Sequence, residues 1–155
     1  MKPLIVRATM VLGGVAVLAA CATMTTMPPD EAIAERSKLM KRQGAAMRSI
    51  SDKLKAGQVQ AVAADAEILL DTSKKIPSLF PEGSVNPQKS RAKPEIWQKW
   101  SDFEGNAKTL ESKATQLAAT ARTGNAQATS AAVGDLGRTT CTKCHDSFRG
   151  PEIKK

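Results

Sequence analysis

The sequence predicts an all-α protein folded as an antiparallel four-helix bundle, and three features of the chain indicate this. Apolar residues recur with helical spacing in four segments, each of roughly 16 to 28 residues. No segment alternates convincingly between apolar and polar residues with a period of two, as a half-buried strand would. The segments are joined by two short links and one long link, which is the pattern of an antiparallel bundle.

The first two predicted helices are separated by a glycine. The first runs from Asp30 to Ala56 without an internal proline, and Asp30 can cap its start. Gly57 suits its end, and the second helix runs from about Gln58 to Ser73. Apolar residues of the first helix recur every seven positions, so they share one face. These residues are Ile33, Met40, Met47 and Leu54.

Residues 74–94 form the long link between the second and third helices. The segment contains four prolines and one glycine, so it has no continuous helical pattern. It is too apolar at Ile76, Leu79 and Phe80 for a disordered linker. We therefore expect this link to be packed against the bundle or to be functional.

The third and fourth predicted helices complete the bundle. The third begins at Pro94, a residue suited to a first helical turn, and ends near Gly124. The fourth runs from about Ala126 to Phe148, before Gly150 and Pro151 stop it. Bundles of this kind place their cofactors in the core, between facing helices.

Composition and charge limit the classes of partner. The formal net charge of +8 could attract acidic proteins, anionic lipid or nucleic acid. The chain has no aromatic stripe interleaved with Lys and Arg and no zinc-finger or RNA-binding motif, so nucleic acid is not expected. Aromatic residues make up only 3% of the 155 residues. A domain this poor in rings must fill its core with aliphatic side chains or with a non-protein group.

The N-terminus reads as an export signal. Lys2 and Arg7 precede an uncharged apolar run that is too short to span a bilayer. The run ends in Leu-Ala-Ala-Cys, which resembles a bacterial lipobox and predicts a signal peptide over 1–20 with lipid on Cys21. Residues 21–30 would be a flexible tether, and 31–155 the folded domain. Simple secretion, with cleavage after Ala20 or Ala22, is the alternative.

A Cys-x-x-Cys-His run near the C-terminus is the candidate functional motif of the chain. It comprises Cys141, Cys144 and His145, the sole histidine of the chain. A structural zinc site needs four ligands, but the remaining cysteine lies in the leader. A thioredoxin-like redox pair is expected next to a βαβ unit, and the sequence predicts only helices. A structural disulfide is the third alternative.

The fourth interpretation is one covalent haem c, and the spacing of the motif favours it. Each thiol can add to one vinyl group, and a two-residue gap puts the two sulfur atoms on the same side of a helical turn. The adjacent His145 then reaches the iron as a ligand. Export agrees with this, because c-type haem is attached outside the bacterial cytoplasm. A large apolar ring system would also compensate for the missing aromatic side chains.

The motif lies at the end of a predicted fourth helix, and in this the chain resembles the class II cytochromes c, the cytochrome c′ family. Further segments of resemblance are "ERSKLMKRQGAAM", "LFPEGS", "AKPEIW" and "CTKCHDSFR", in the order of the family. The resemblance covers about residues 31–150 and implies a four-helix bundle with covalent haem near the C-terminal end of the fourth helix. "KLMKRQG" and "IPSLFPEGS" look closer to the low-spin, methionine-ligated branch similar to cytochrome c-556.

The resemblance also implies which residue faces the iron opposite His145. In this family that residue comes from the first helix, and Met40 matches its place, so Met40 is the predicted second ligand. Met47 is expected to be a core residue. Arg36 shares the face of Met40 and either meets a haem propionate or extends to solvent. Gly44 either makes room for the haem edge or is simply a tolerated helix glycine.

Three functions follow as hypotheses. The first is a periplasmic one-electron carrier with iron held by His145 and Met40. The second is a cytochrome c′ with five-coordinate iron that binds nitric oxide or another small gas. The third is a haemless helical lipoprotein that uses Cys141 and Cys144 as a thiol or disulfide pair. No nucleophile–base pair is apparent, so no enzyme is predicted.

Partners are predicted from charge and from the leader. Cations near the motif could steer acidic redox proteins; they are Lys143, Arg149, Lys154 and Lys155. Lipid on Cys21 would hold the protein at a bacterial membrane. The chain is expected to be a monomer or homodimer, and cations assigned to the outer face of the first helix argue against an apolar dimer interface. These cations are Lys38, Lys41, Arg42, Arg48 and Lys53.

Overall fold

The computed structural model describes residues 27–153, which form a bundle of helices. The predicted signal peptide over 1–20, the predicted lipid site at Cys21, residues 22–26 of the predicted tether and two C-terminal lysines lie outside the described residues. Within residues 27–153 no strand forms, apart from one isolated β-bridge, and the all-α four-helix architecture is confirmed. No helix in this part of the chain has the length and apolarity needed to cross a bilayer.

Helix α1 spans Pro29–Lys55, close to the prediction. Asp30 does not cap it, because the helix already begins at Pro29 and the Asp30 carboxylate pairs with Lys89 at 2.8 Å. The C-terminal end of α1 is closed by two backbone hydrogen bonds: the Gly57 amide donates to the Leu54 carbonyl at 3.1 Å, and the Gln58 amide donates to the Lys53 carbonyl at 2.8 Å. This arrangement requires a left-handed residue, and Gly57 supplies it with φ of 71°.

Helix α2 spans Val62–Ser73, so the predicted start at Gln58 is wrong by four residues. After the left-handed Gly57 the chain needs a further turn over residues 58–61 before it can reverse along α1. The long link then contains a 3₁₀ turn at Pro77–Leu79. Ile76, Leu79 and Phe80 are all buried, which confirms that this link is packed.

The third predicted helix is broken at Lys99. Helix α3 covers Glu95–Gln98 and helix α4 covers Trp100–Arg122. Lys99 has φ of −123° and ψ of 47°, values outside the helical region. The Trp97 indole donates to the Phe80 carbonyl at 3.1 Å and so holds α3 against the long link. This contact spans 17 residues of sequence, which explains why local spacing did not reveal the break.

The fourth predicted helix contains a wide turn. Helix α5 spans Ala126–Leu136, a π-helical turn covers Gly137–Thr142, and helix α6 spans Lys143–Phe148. In a π turn the amide hydrogen bonds shift by one residue, so carbonyl groups at its start lose their usual donor. Thr139 and Thr140 hydroxyls donate to the carbonyls of residues four positions earlier, at 2.8 and 2.6 Å. The wide turn therefore keeps its backbone hydrogen-bonded.

The core lies where α2 packs on α1 and α4, and where α4 packs on α5. It is mainly aliphatic, with Phe80, Phe103 and Phe148 in edge contact around Phe103. The ring centroids of Phe103 and Phe148 lie 5.5 Å apart. The largest fully buried aliphatic side chains are Ile50, Val62, Leu69, Ile96, Leu117 and Leu136.

Candidate haem site

A cavity of about 570 Å³ opens between α1, the long link, α4 and the C-terminal helical segments. This volume lies in the range of cofactor and ligand pockets. Its lining is largely apolar, and every face of it comes from a different element of the chain. The principal apolar lining residues are Ile33, Met40, Ile96, Phe103, Leu110 and Phe148.

The Cys-x-x-Cys-His run lies in the wall of this cavity. Cys141 is near the end of the π turn, while Cys144 and His145 are in the first turn of α6. All three line the cavity and are partly buried. The sequence motif therefore brings two free thiols and one imidazole to one wall. Thr140 supports this wall, because its hydroxyl lies 3.7 Å from the Cys141 sulfur.

Burial sets the protonation of these groups. Desolvation, with a smaller contribution from Cys141, raises the pKa of the Cys144 thiol to about 11. Redox-active cysteines instead have lowered pKa values, so this environment does not suit a reactive dithiol. Burial lowers the pKa of His145, and Arg149 and Arg91 lower it further, against an opposing effect of Asp146. The imidazole is thus neutral near pH 7, the form that binds a metal.

Met40 lines the same cavity from α1. Its neighbour Leu39 points into the hydrophobic core and is 8% exposed, whereas Met40 is only partly buried and packs at the core's edge. Met47, two turns along, packs against the core without lining the cavity, as predicted. Gly44 also lines the cavity, which agrees with its interpretation as a place where the helix leaves room.

Arg36 does not extend to solvent, so that alternative was wrong. Its side chain is 4% exposed and lines the cavity. The guanidinium donates to the Ser84 hydroxyl at 3.0 Å, to the Ser84 carbonyl at 2.7 Å and to the Ser90 hydroxyl at 2.7 Å. It also lies 4.8 Å from the Phe80 ring centroid. Long-range contacts to the link, rather than solvent, satisfy this buried cation.

Part of the cavity wall has no signal in the sequence. Residues 89–92 of the long link and Asn106 of α4 line the cavity, and no periodicity or motif pointed to them. Lys41 and Arg48 were assigned to an outer face, yet both reach the cavity wall. Lys53 was assigned there too, but its ammonium pairs with the Asp65 carboxylate at 2.7 Å on α2.

The residues present fit a covalently bound haem. The cavity is apolar, two thiols and a neutral imidazole share one wall, and a thioether lines the cavity from another helix. A zinc site fits less well, because no three His, Cys, Asp or Glu side chains within residues 27–153 form a metal-binding group. Only a group that reacts with both thiols and accepts His145 uses the whole motif.

A protein-family model described as cytochrome c′ matches residues 31–149. The chain belongs to the cytochrome c′ family. Haem c is accordingly its cofactor, attached through Cys141 and Cys144, and the haemless alternative is set aside. The resemblance seen in the sequence is confirmed at the level of the family.

Individual relatives cover nearly the whole folded chain. Cytochrome c′ from Pararhodospirillum photometricum is 31% identical over 124 residues, 78% of this chain and 98% of that protein. Cytochrome c-556 from Agrobacterium tumefaciens is 32% identical over 120 residues, 76% of this chain and 95% of that protein. The family name thus spans relatives that carry two different cytochrome names.

Solved structures agree with the fold. Cytochrome c′ from Thermochromatium tepidum superposes with a TM-score of 0.70 at 30% identity, covering 81% of this chain and 99% of that chain. A nitric oxide complex of a mutant cytochrome c prime from Alcaligenes xylosoxidans gives a TM-score of 0.69 at 25% identity, with 79% and 97% coverage.

Proposed function

We propose that this cytochrome c′ family member is a one-electron carrier in which His145 and Met40 both bind the haem iron. The observation that carries the proposal is that these two side chains line one cavity from different helices, α6 and α1. The haem supplies the redox chemistry. The chain supplies an imidazole nitrogen, a thioether sulfur and a largely apolar enclosure.

Both side chains are held by packed elements. His145 follows Cys144 directly, and Met40 follows the buried Leu39 on a helix of 27 residues. A ligand pair fixed in this way changes position little between oxidation states, which favours fast electron exchange. A His/Met pair also raises the reduction potential compared with harder ligands.

Gas binding at a five-coordinate iron is the second candidate. The name cytochrome c′ on the relatives favours it, as does the nitric oxide complex of the Alcaligenes protein. In this arrangement Met40 would crowd the iron without binding it. The two candidates differ in one atom contact, the bond from the Met40 sulfur, and therefore in spin state.

Replacement of Met40 separates the two functions. Met40→Ala removes the thioether, so the oxidised protein is expected to change from low-spin to high-spin, as measured by its optical and electron paramagnetic resonance spectra. Met47→Ala is the matched control, since Met47 lies on the same helix and packs against the core without lining the cavity. This control should stay low-spin. Spectra of wild type and Met40→Ala that are both high-spin would support the gas-binding candidate instead.

The cellular location is part of the same proposal. An apolar N-terminal run that ends at Cys21 supports export to the periplasm and a lipid anchor at that residue. An anchored carrier would stay next to donors and acceptors in the membrane.

A further inference from the structure

The cavity wall is strongly biased toward positive charge. Besides His145, six of its lining residues are cationic, and no aspartate or glutamate lines it within residues 27–153. The cationic lining residues are Arg36, Lys41, Arg48, Lys89, Arg91 and Arg149. Such a concentration of one charge sign at an opening focuses the electrostatic field there.

Three of the six cations are already engaged by protein groups. Lys89 pairs with Asp30 at 2.8 Å, and Arg91 lies 3.8 Å from the Glu152 carboxylate. Arg36 is buried and hydrogen-bonded to serine oxygens. These contacts tie the long link to α1 and to the C-terminal tail, so each of the three cations already has a partner within the protein.

The other three cations form what we call the basic rim: Lys41, Arg48 and Arg149. All three are exposed while lining the cavity, which places them at its mouth. None of them forms an ion pair with any residue in the described part of the chain. Haem propionates would balance some of the six charges, but buried Arg36 is also available for that role, so positive charge remains at the mouth.

Gly44 positions one member of the rim. Lys41, Gly44 and Arg48 follow the i, i+3, i+7 spacing of one helix face. The Arg48 Nη1 atom lies 3.7 Å from where a Cβ atom on Gly44 would be. The Arg48 guanidinium thus lies back over the bare backbone of Gly44, toward Lys41 and along the cavity edge.

An apolar side chain lies within the same mouth. Ile153 is 38% exposed and is the sole exposed large hydrophobic residue of the described chain. It lines the cavity, at the end of a tail that Gly150 fixes by donating to the Arg91 carbonyl at 2.7 Å. An apolar side chain at an opening that is also lined by exposed cations resembles the anatomy of protein interfaces, which have an apolar centre and a polar rim.

We propose that the basic rim, with Ile153 among it, docks an acidic face of a redox partner protein at the mouth of the haem cavity. This inference rests on the proposed electron-carrier function and names the surface that such a carrier would use. Opposite charges steer association and set its orientation, while a small apolar contact leaves the complex short-lived. Exchange of electrons needs fast encounter and fast release, and both follow from this surface.

Charge reversal at the rim tests the proposal. Lys41→Glu/Arg48→Glu in the full-length reduced haem protein should slow oxidation by the anion ferricyanide at least about tenfold at low salt. It should speed oxidation by the cationic tris(phenanthroline)cobalt(III) complex. Lys74→Glu/Lys75→Glu has the same net charge, and both lysines are exposed away from the cavity. This control should change both rates much less, and high salt should abolish the difference.

Competition identifies the kind of partner. Poly-glutamate, which imitates an acidic protein face, should slow the ferricyanide reaction of the wild-type protein and of the control but not of the rim variant. Short-chain phosphatidylglycerol should slow it less. A stronger effect of the lipid than of poly-glutamate would overturn the protein-partner proposal in favour of a membrane surface.

Failure of this proposal is distinct from failure of the proposed function. Equal ferricyanide rates in the rim variant and the control would overturn the docking surface, even if all proteins were low-spin. A high-spin wild-type spectrum would instead overturn the His145 and Met40 carrier on which the proposal rests. The spectra and the rates are measured on the same samples.

Discussion

The guanidinium of Arg36 lies among neutral oxygen atoms, and its three hydrogen bonds connect α1 to the long link. A buried cation is costly unless its donors are satisfied. Ser84 is fully buried, and its hydroxyl donates in turn to the Pro81 carbonyl at 2.7 Å. Ser90, also in the long link, accepts the third hydrogen bond of Arg36. The Arg36 side chain therefore holds two parts of the long link in place where the link forms the cavity wall.

Arg36→Leu should lower the free energy of unfolding by about 1 to 3 kcal/mol, because it leaves buried oxygen atoms of Ser84 without their donor. Arg42→Leu is the control, since Arg42 is exposed on the same helix without a hydrogen bond or ion pair among the described residues; its change should be within about 0.5 kcal/mol. Urea unfolding followed by circular dichroism measures both. Equal stabilities of the two variants would contradict the role given to Arg36.

The haem motif lies where the last helical segment changes from a π turn to an α-helix. Cys141 lies in the π turn and Cys144 in the α-helical turn that follows. Such turns often occur at functional sites, because one extra residue redirects the side chains around it. Here the wide turn and its threonine hydroxyls place both thiols on the cavity wall. The α1–α2 turn is a second specialised connection, and it depends on one glycine.

Two glycine substitutions should change stability in opposite directions. Gly57→Ala forces a side chain into the left-handed region at φ of 71° and should cost about 1 kcal/mol. Gly105→Ala lies within α4, where an added Cβ meets no atom within 4 Å. This second change should stabilise by roughly 0.5 to 1 kcal/mol. Thermal unfolding of both variants measures this, and destabilisation by Gly105→Ala would contradict the packing described for α4.

The features that could be predicted are those that neighbouring residues decide. The seven-residue repeat from Ile33 to Leu54 predicted α1, and the Cys-x-x-Cys-His spacing predicted the attachment of haem. Features that depend on contacts between distant residues could not be predicted. The break at Lys99 depends on a contact to the long link, and the burial of Arg36 depends on Ser84, 48 residues away. Neither signal exists in a window of neighbouring residues.

Surface charge and the proposed anchor would together decide how the whole molecule meets its partners. The folded chain has its basic rim at the cavity mouth, while the predicted lipid site is at Cys21, outside the described residues. A tether at Cys21 would restrict diffusion to a membrane surface. The C-terminal tail is meanwhile held to the long link by the bridge between Ala92 and Arg149, so the two segments close one side of the cavity together.

Cys21→Ser tests the anchor. If the residue carries lipid, the substituted protein should move from the membrane fraction to the soluble periplasmic fraction in a bacterial host that attaches haem c. A haem stain of each fraction after denaturing electrophoresis follows the protein, because thioether-bound haem survives denaturation. Equal distribution of wild type and Cys21→Ser would contradict lipid attachment and support simple secretion.

A bond between the haem iron and the Met40 sulfur would distinguish the electron carrier from the gas-binding protein. Near-infrared magnetic circular dichroism of the oxidised wild-type protein detects such a bond, because the charge-transfer band in this region identifies the side chains that bind the iron. We expect the band of low-spin iron with one imidazole and one thioether. A spectrum of high-spin iron without a thioether ligand would contradict the proposed bond to Met40.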